Sequence, residues 1–89
     1  MAWRIEFTPL AVRDLESLDT QVAKRILGFL HRRVGALDDP RSIGEALRGR
    51  RLGELWKYRV GDYRIICQIE DRATLVTVAR IGHRRGVYR

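Results

Sequence analysis

The stretch Leu55-Trp56-Lys57-Tyr58-Arg59-Val60-Gly61-Asp62-Tyr63-Arg64-Ile65-Ile66-Cys67 decides how this chain folds. Two apolar-rich segments flank Gly61-Asp62, and glycine at the first central position of a two-residue turn suits a type II′ hairpin. The register follows from the turn: Val60 opposite Tyr63, Arg59 opposite Arg64, Tyr58 opposite Ile65, Lys57 opposite Ile66 and Trp56 opposite Cys67. Opposed residues share a face, and faces alternate along each strand. One face therefore collects Trp56, Tyr58, Val60, Tyr63, Ile65 and Cys67. The other collects Lys57, Arg59, Arg64 and Ile66. An apolar set that agrees across both strands supports this register, because a slip of one residue would invert every side chain.

The second face is unusual on stability grounds. Like charges directly opposed across strands destabilise, by about 0.2–1 kcal/mol per pair. A polyanionic ligand would neutralise the repulsion between Arg59 and Arg64, with Lys57 two residues along. The plain alternative is a solvated sheet face whose charges splay apart in water.

Working outward, a third apolar-rich segment follows at 74–81, joined to the 63–70 segment by the short link Glu70–Ala73; such links imply antiparallel strands. Towards the N-terminus, Leu37 to Glu54 lacks periodicity. Asp38-Asp39-Pro40 ends the preceding helical region, and Gly44, Gly49 and Gly53 punctuate a basic connection containing Arg48, Arg50 and Arg51. Before it, Asp19 is a candidate N-cap for a helix with apolar residues at Val22, Ile26, Phe29, Leu30 and Val34. Thr8-Pro9 reads as an N-cap followed by proline at the first helical position, opening a helix with Ala11, Leu15 and Leu18 on one face. Trp3, Ile5 and Phe7 alternate with polar residues as a half-buried strand does. The pattern predicts one α+β domain over residues 1–89. Its order is β-α-α-β-β-β, with two N-terminal helices packed on one face of an antiparallel sheet of about four strands.

Eighty-nine residues with 45% hydrophobic content suffice for one modest core. A single cysteine, Cys67, excludes an internal disulfide framework and a cysteine-rich zinc site. Arg4 and Glu6 interrupt the first apolar stretch, so no secretory signal is expected, and no apolar run is long enough to span a bilayer. The expected compartment is the cytoplasm. The net charge of +7 is unevenly placed. Residues 1–40 hold six basic groups against six acids, whereas residues 41–89 hold twelve against five. Sixteen of the eighteen basic residues are arginine. A GC-rich genome would favour arginine codons, but the planar guanidinium also suits bidentate phosphate contacts, and the one-sided distribution points to nucleic acid.

The last ten residues, Arg80-Ile81-Gly82-His83-Arg84-Arg85-Gly86-Val87-Tyr88-Arg89, add four arginines, a histidine and a tyrosine. Histidine and tyrosine can both move protons without a metal. The stretch reads equally as a basic tail with an incidental tyrosine. Leu55–Ile66 together with Ile81–Tyr88 resembles the two signature blocks of the RelE toxins, and the likeness extends over essentially the whole chain. The resemblance implies a toxin of a type II toxin–antitoxin pair, a metal-independent, ribosome-dependent mRNA endonuclease that needs no cofactor. Its substrate would be mRNA in the ribosomal A site, beside ribosomal RNA, and its partner a RelB-like antitoxin in a hetero-oligomeric complex.

What the resemblance implies for residues is specific. The RNA's own 2′-hydroxyl attacks the scissile phosphate, leaving a 2′,3′-cyclic phosphate or its opened form. The matching positions are Lys57, Arg59, Arg64, Arg84 and Tyr88. Negative charge builds on a pentacoordinate phosphorane, and one preorganised donor there is typically worth roughly 10²–10³ in rate. Arg64 is assigned that role, with Lys57 and Arg59 holding flanking phosphates or assisting it. Tyr88 is a general base, which requires nearby cations to depress its pKa, or a stacking platform for the base. Arg84 would protonate the leaving 5′-oxygen or stabilise its charge. Arg59 stands where a lysine is common in the family, which keeps the charge and changes the hydrogen-bond geometry. Arg48, Arg50, Arg51, His83 and Arg85 are expected to contact RNA or the ribosome. His83 reads either as a proton carrier or as a histidine in a glycine-flanked turn.

Two other readings compete. ParE-type toxins share the fold, act on DNA gyrase by protein contact and have no need of the Lys57, Arg59, Arg64, Arg84 and Tyr88 set. A non-catalytic basic domain would bind RNA with strong salt dependence and no cleavage. Cys67, Trp3 and Trp56 are expected in the core, and His31 in solvent.

Overall fold

A computed structural model describes residues 2–47 and 55–83. The elements in chain order are β1 (Arg4–Phe7), α1 (Pro9–Glu16), α2 (Thr20–Gly28), β2 (Glu45–Ala46), β3 (Leu55–Val60), β4 (Tyr63–Glu70) and β5 (Leu75–His83). A π-helical segment, Phe29–Val34, continues α2, and a 3₁₀ turn, Pro40–Ser42, precedes β2. The strands form one sheet in the order β1-β5-β4-β3-β2. Among the described residues no helix is long and apolar enough to cross a membrane.

The expected α+β architecture is present, with two differences in the sheet. Its ladders are antiparallel except at one edge, where β1 pairs parallel with β5, Arg4 beside Leu75 and Phe7 beside Val78. Parallel neighbours need a crossover of about a dozen residues or more, and the helical pair with the hairpin strands supplies it. The fifth strand, β2, is two residues long and pairs Glu45 with Lys57 and Ala46 with Trp56. Both its residues are exposed, so it leaves no hydrophobic trace in the sequence.

The helix starts are built as their sequences predict. The Thr8 hydroxyl accepts from the Ala11 amide at 3.1 Å, with Pro9 following it at the first helical position. The Asp19 carboxylate accepts from the Gln21 amide at 3.0 Å. Each satisfies a donor that a helix N-terminus otherwise leaves open. Ala11 from α1 and Ile26, Leu30 and Val34 from the second helical run are buried with Tyr58, Ile65, Cys67, Val76, Val78 and Ile81 of the sheet. Trp3 and Trp56 lie half-buried against this core, and His31 is exposed.

The hairpin adopts the expected register throughout, from Val60 opposite Tyr63 to Trp56 opposite Cys67. Gly61 has φ +58°, while Asp62 does not enter the left-handed region, as a type II′ turn requires. On the helix-facing side Tyr58, Val60, Ile65 and Cys67 are buried. Ile66 is also buried, yet it stands on the opposite face, across from Lys57.

Between β4 and β5 the register shifts. Ile66 pairs with Arg80 but Cys67 pairs with Val78, so Ala79 is the extra residue of a β-bulge. The N-cap of α1 and a side chain from its second turn hold this irregularity. The Thr8 hydroxyl donates to the Ala79 carbonyl at 2.8 Å, and Asp14 accepts from the Ile81 amide at 2.8 Å. Phe7, the last residue of β1, pairs with Val78, so Thr8 and Asp14 extend the bonding of the β5 edge beyond that strand.

Candidate active site

Lys57, Arg59 and Arg64 share the sheet face that points away from the helices, as the hairpin register requires. Arg59 and Arg64 are directly opposed, and Gly82 on β5 is the next partner across from Arg64. This row therefore reads arginine, arginine, glycine over three strands. Gly82 has no Cβ, so β5 places no side chain of its own beside Arg64 at that position. The neighbouring row is Lys57, Ile66, Arg80.

The cations differ in what surrounds them. Arg59 is exposed and Arg64 half-buried. Lys57 is largely withdrawn from solvent, with its ammonium 3.4 Å from the carboxylate of Glu45 on β2. Arg80 is tied down more firmly: its Nε donates to Asp14 at 2.9 Å, and the same carboxylate takes the Ile81 amide. Burial pushes the Asp14 carboxyl up, but the hydrogen bonds from Arg80 and Ile81 and the charge of Arg80 outweigh it. The net result is a carboxyl held below its ordinary range. Arg80 thus braces the bulge, where its sequence setting suggested one more charge in a basic tail.

His83 ends β5 as a strand residue, not in a turn. It is exposed, and its ring stands edge-on to Tyr63 with centroids 5.3 Å apart. Arg48, Arg50, Arg51, Arg84, Arg85 and Tyr88 lie outside the described residues. Cys67 is fully buried, and burial pushes its thiol well above the ordinary range, which suits a core residue and not a nucleophile. Tyr58 is buried too, with its hydroxyl donating to the Pro40 carbonyl and its pKa pushed up by burial.

Sequence reasoning did not single out Asp14, Gly82, or the basic group Lys24, Arg25 and Arg32 on the second helical run. Those three line a cleft of about 490 Å³ with Arg59 and Gly61. Their sequence signal was only that of a charged helix face, and what makes them notable is the meeting with the hairpin turn.

The structure thus combines a mixed sheet, two helices on one face and a cluster of cations on the other. The profile of the family described as "ParE toxin of type II toxin-antitoxin system, parDE" matches residues 5–88. The chain is 33% identical to "Toxin RelG" of Mycobacterium tuberculosis, over all of this chain and 99% of that one. It is 31% identical to "Toxin RelE" of the same organism, over 98% of this chain and 87% of that one. Among solved structures it is similar to the toxin–antitoxin complex RelBE2 from Mycobacterium tuberculosis, with TM-score 0.85 and 30% identity over 94% of this chain and 93% of that one. The chain belongs to the RelE/ParE superfamily of type II toxin–antitoxin toxins, as a RelE-type member.

Proposed function

We propose that this toxin is a metal-independent endoribonuclease that cuts mRNA in the ribosomal A site and is held inactive by a RelB-like antitoxin. The observation that carries the reading is the opposed pair Arg59 and Arg64, with Lys57 on the same face and glycine beside Arg64. A cation cluster of this kind costs stability, and a phosphodiester gives a reason to keep it. In the proposed step the 2′-hydroxyl loses its proton and its oxygen bonds to phosphorus. The P–O5′ bond breaks, and the leaving 5′-oxygen takes up a proton. Arg64 stabilises the charge that develops on the phosphorane, and Lys57 and Arg59 hold the flanking phosphates. Tyr88 acts as general base or stacking platform, and Arg84 serves the leaving group; both are assigned by their place in the Ile81–Tyr88 block. Similarity to a toxin solved as a RelBE2 complex supports a RelB-like partner.

A second reading, gyrase inhibition by protein contact, is favoured by the ParE description of the matching family. Primer extension on a reporter mRNA in a cell-free translation system separates the two. New 5′ ends within translated codons, present with wild type and lost with Arg64→Ala, would support the ribonuclease. Intact mRNA with a folded, growth-inhibiting protein would overturn it and direct attention to a supercoiling assay.

A further inference from the structure

The cleft between the second helical run and the hairpin turn is lined by Lys24, Arg25, Arg32 and Arg59, and among the described residues no acidic one joins them. None of the four forms an ion pair with an acid among the described residues. Lys24, Gly28 and Arg32 follow at intervals of four along one side of the helix, and Arg25 sits on the adjacent turn-facing side. The Arg32 guanidinium folds back across Gly28, 3.6 Å from where a Cβ would stand. The Arg25 guanidinium lies over the hairpin turn, 3.4 Å from the corresponding point on Gly61. Lys24, Arg25 and Arg32 thus crowd one wall of the cleft, with Arg59 at its edge, and no acid among the described residues is paired with them, an arrangement that repels itself.

Arg59 belongs to this cleft and also to the row it shares with Arg64. Arg59 therefore links the cationic row of the sheet to the basic residues on the helix side. We infer that the cleft is a second RNA-backbone site, in which Lys24, Arg25 and Arg32 grip phosphates of a segment other than the one that is cut. Three of the four cations are arginine, whose fork fits phosphate oxygens, and backbone contacts of this type position an RNA without reading its sequence. The inference rests on the ribonuclease reading for the purpose of the site, but binding can be measured without cleavage.

The test uses the full chain and a short fluorescein-labelled 2′-O-methyl oligoribonucleotide, which lacks the attacking hydroxyl, titrated by anisotropy across a salt series. A Lys24→Gln/Arg25→Gln/Arg32→Gln variant removes the cleft charges at exposed positions. An Arg13→Gln/Arg33→Gln/Arg72→Gln variant removes the same net charge at exposed positions outside the cleft. Loss of three phosphate contacts to a single strand lowers the salt slope by about 2, which is roughly a hundred-fold in affinity at 0.1 M salt. That loss, confined to the cleft variant, is the expected result. Equal losses in both variants, or none in the cleft variant, would overturn the inference. So would a cleft variant that keeps RNA affinity but loses binding to a labelled oligoglutamate, which would assign the cleft to an acidic protein segment. Cleavage in the translation system is scored separately. A wild type that cleaves but shows no cleft effect sinks only this inference, and one that binds through the cleft without cleaving sinks only the ribonuclease.

Discussion

Arg59 and Arg64 face each other directly across the β3–β4 ladder, and neither forms an ion pair with an acid among the described residues. A sheet stabilised only by packing would place an opposite charge or a β-branched residue at one of these positions. The pair is therefore the clearest point at which stability and the proposed chemistry pull in opposite directions.

That opposition can be measured with a double-mutant cycle of Arg59→Thr, Arg64→Thr and the double variant in urea. The coupling should be repulsive, about 0.2–1 kcal/mol, and should fade as salt screens the pair. Both single variants should lose mRNA cleavage whatever they gain in stability. A coupling of zero, or an attractive one, would sink the repulsion argument.

The Asp14 carboxylate should make stability depend on acid. Its folded pKa lies below the ordinary value, so the unfolded chain binds the proton more readily. The stability it supplies is present above about pH 3.9, the ordinary carboxyl value, and is lost as pH falls through the depressed folded value. In Asp14→Asn the deficit relative to wild type should be largest near neutrality and shrink in acid. Some acid dependence should remain, because Asp71 is held low by its hydrogen bond from Arg41. A deficit constant from pH 7 to pH 2 would contradict the assignment.

Much of this was legible in the residues. The hairpin register could be read because the turn and the apolar alternation specify it together, and the two caps could be read because Thr8-Pro9 and Asp19 carry local chemistry. Pairing across long separations could not. Nothing in Trp3–Phe7 says that β1 lies parallel to β5, and the Ala79 bulge arises where Thr8 and Asp14 meet that strand. At the β4–β5 turn Thr74 takes φ +51°, an uncommon conformation for a β-branched residue that composition does not announce. The site divides in the same way. The clustering of Lys57, Arg59 and Arg64 follows from one hairpin, whereas the Lys57–Glu45 contact and the cleft around Arg25 exist only through tertiary packing.

Two glycines should respond oppositely to alanine. Gly44 has φ +82°, and a Cβ there would stand 2.6 Å from both the Lys57 carbonyl oxygen and Trp56 Nε1. Gly44→Ala should cost about 1–3 kcal/mol from the backbone conformation alone, with the clash adding to it. It should also loosen β2 and its Glu45 contact to Lys57. At Gly28, inside a helix, a Cβ meets only the flexible end of Arg32 at 3.6 Å. Gly28→Ala should therefore stabilise by about 0.5–1 kcal/mol. Urea midpoints of the two variants decide the matter, and changes of the same sign would refute it.

Thr8 joins the start of α1 to the bulge that aligns the end of β5. Its one hydroxyl accepts from the Ala11 amide at 3.1 Å and donates to the Ala79 carbonyl at 2.8 Å. Thr8→Val keeps the shape and removes both bonds, leaving a part-buried carbonyl without that donor, at a cost of about 1–3 kcal/mol. Thr8→Ser keeps the hydroxyl and should stay close to wild type. Because the bulge sets which β5 residues stand beside Ile66 and Arg64, Thr8→Val should also reduce cleavage under conditions where it is fully folded. Ribonuclease activity equal to wild type in folded Thr8→Val would show that the position of Gly82 beside Arg64 does not depend on this hydroxyl.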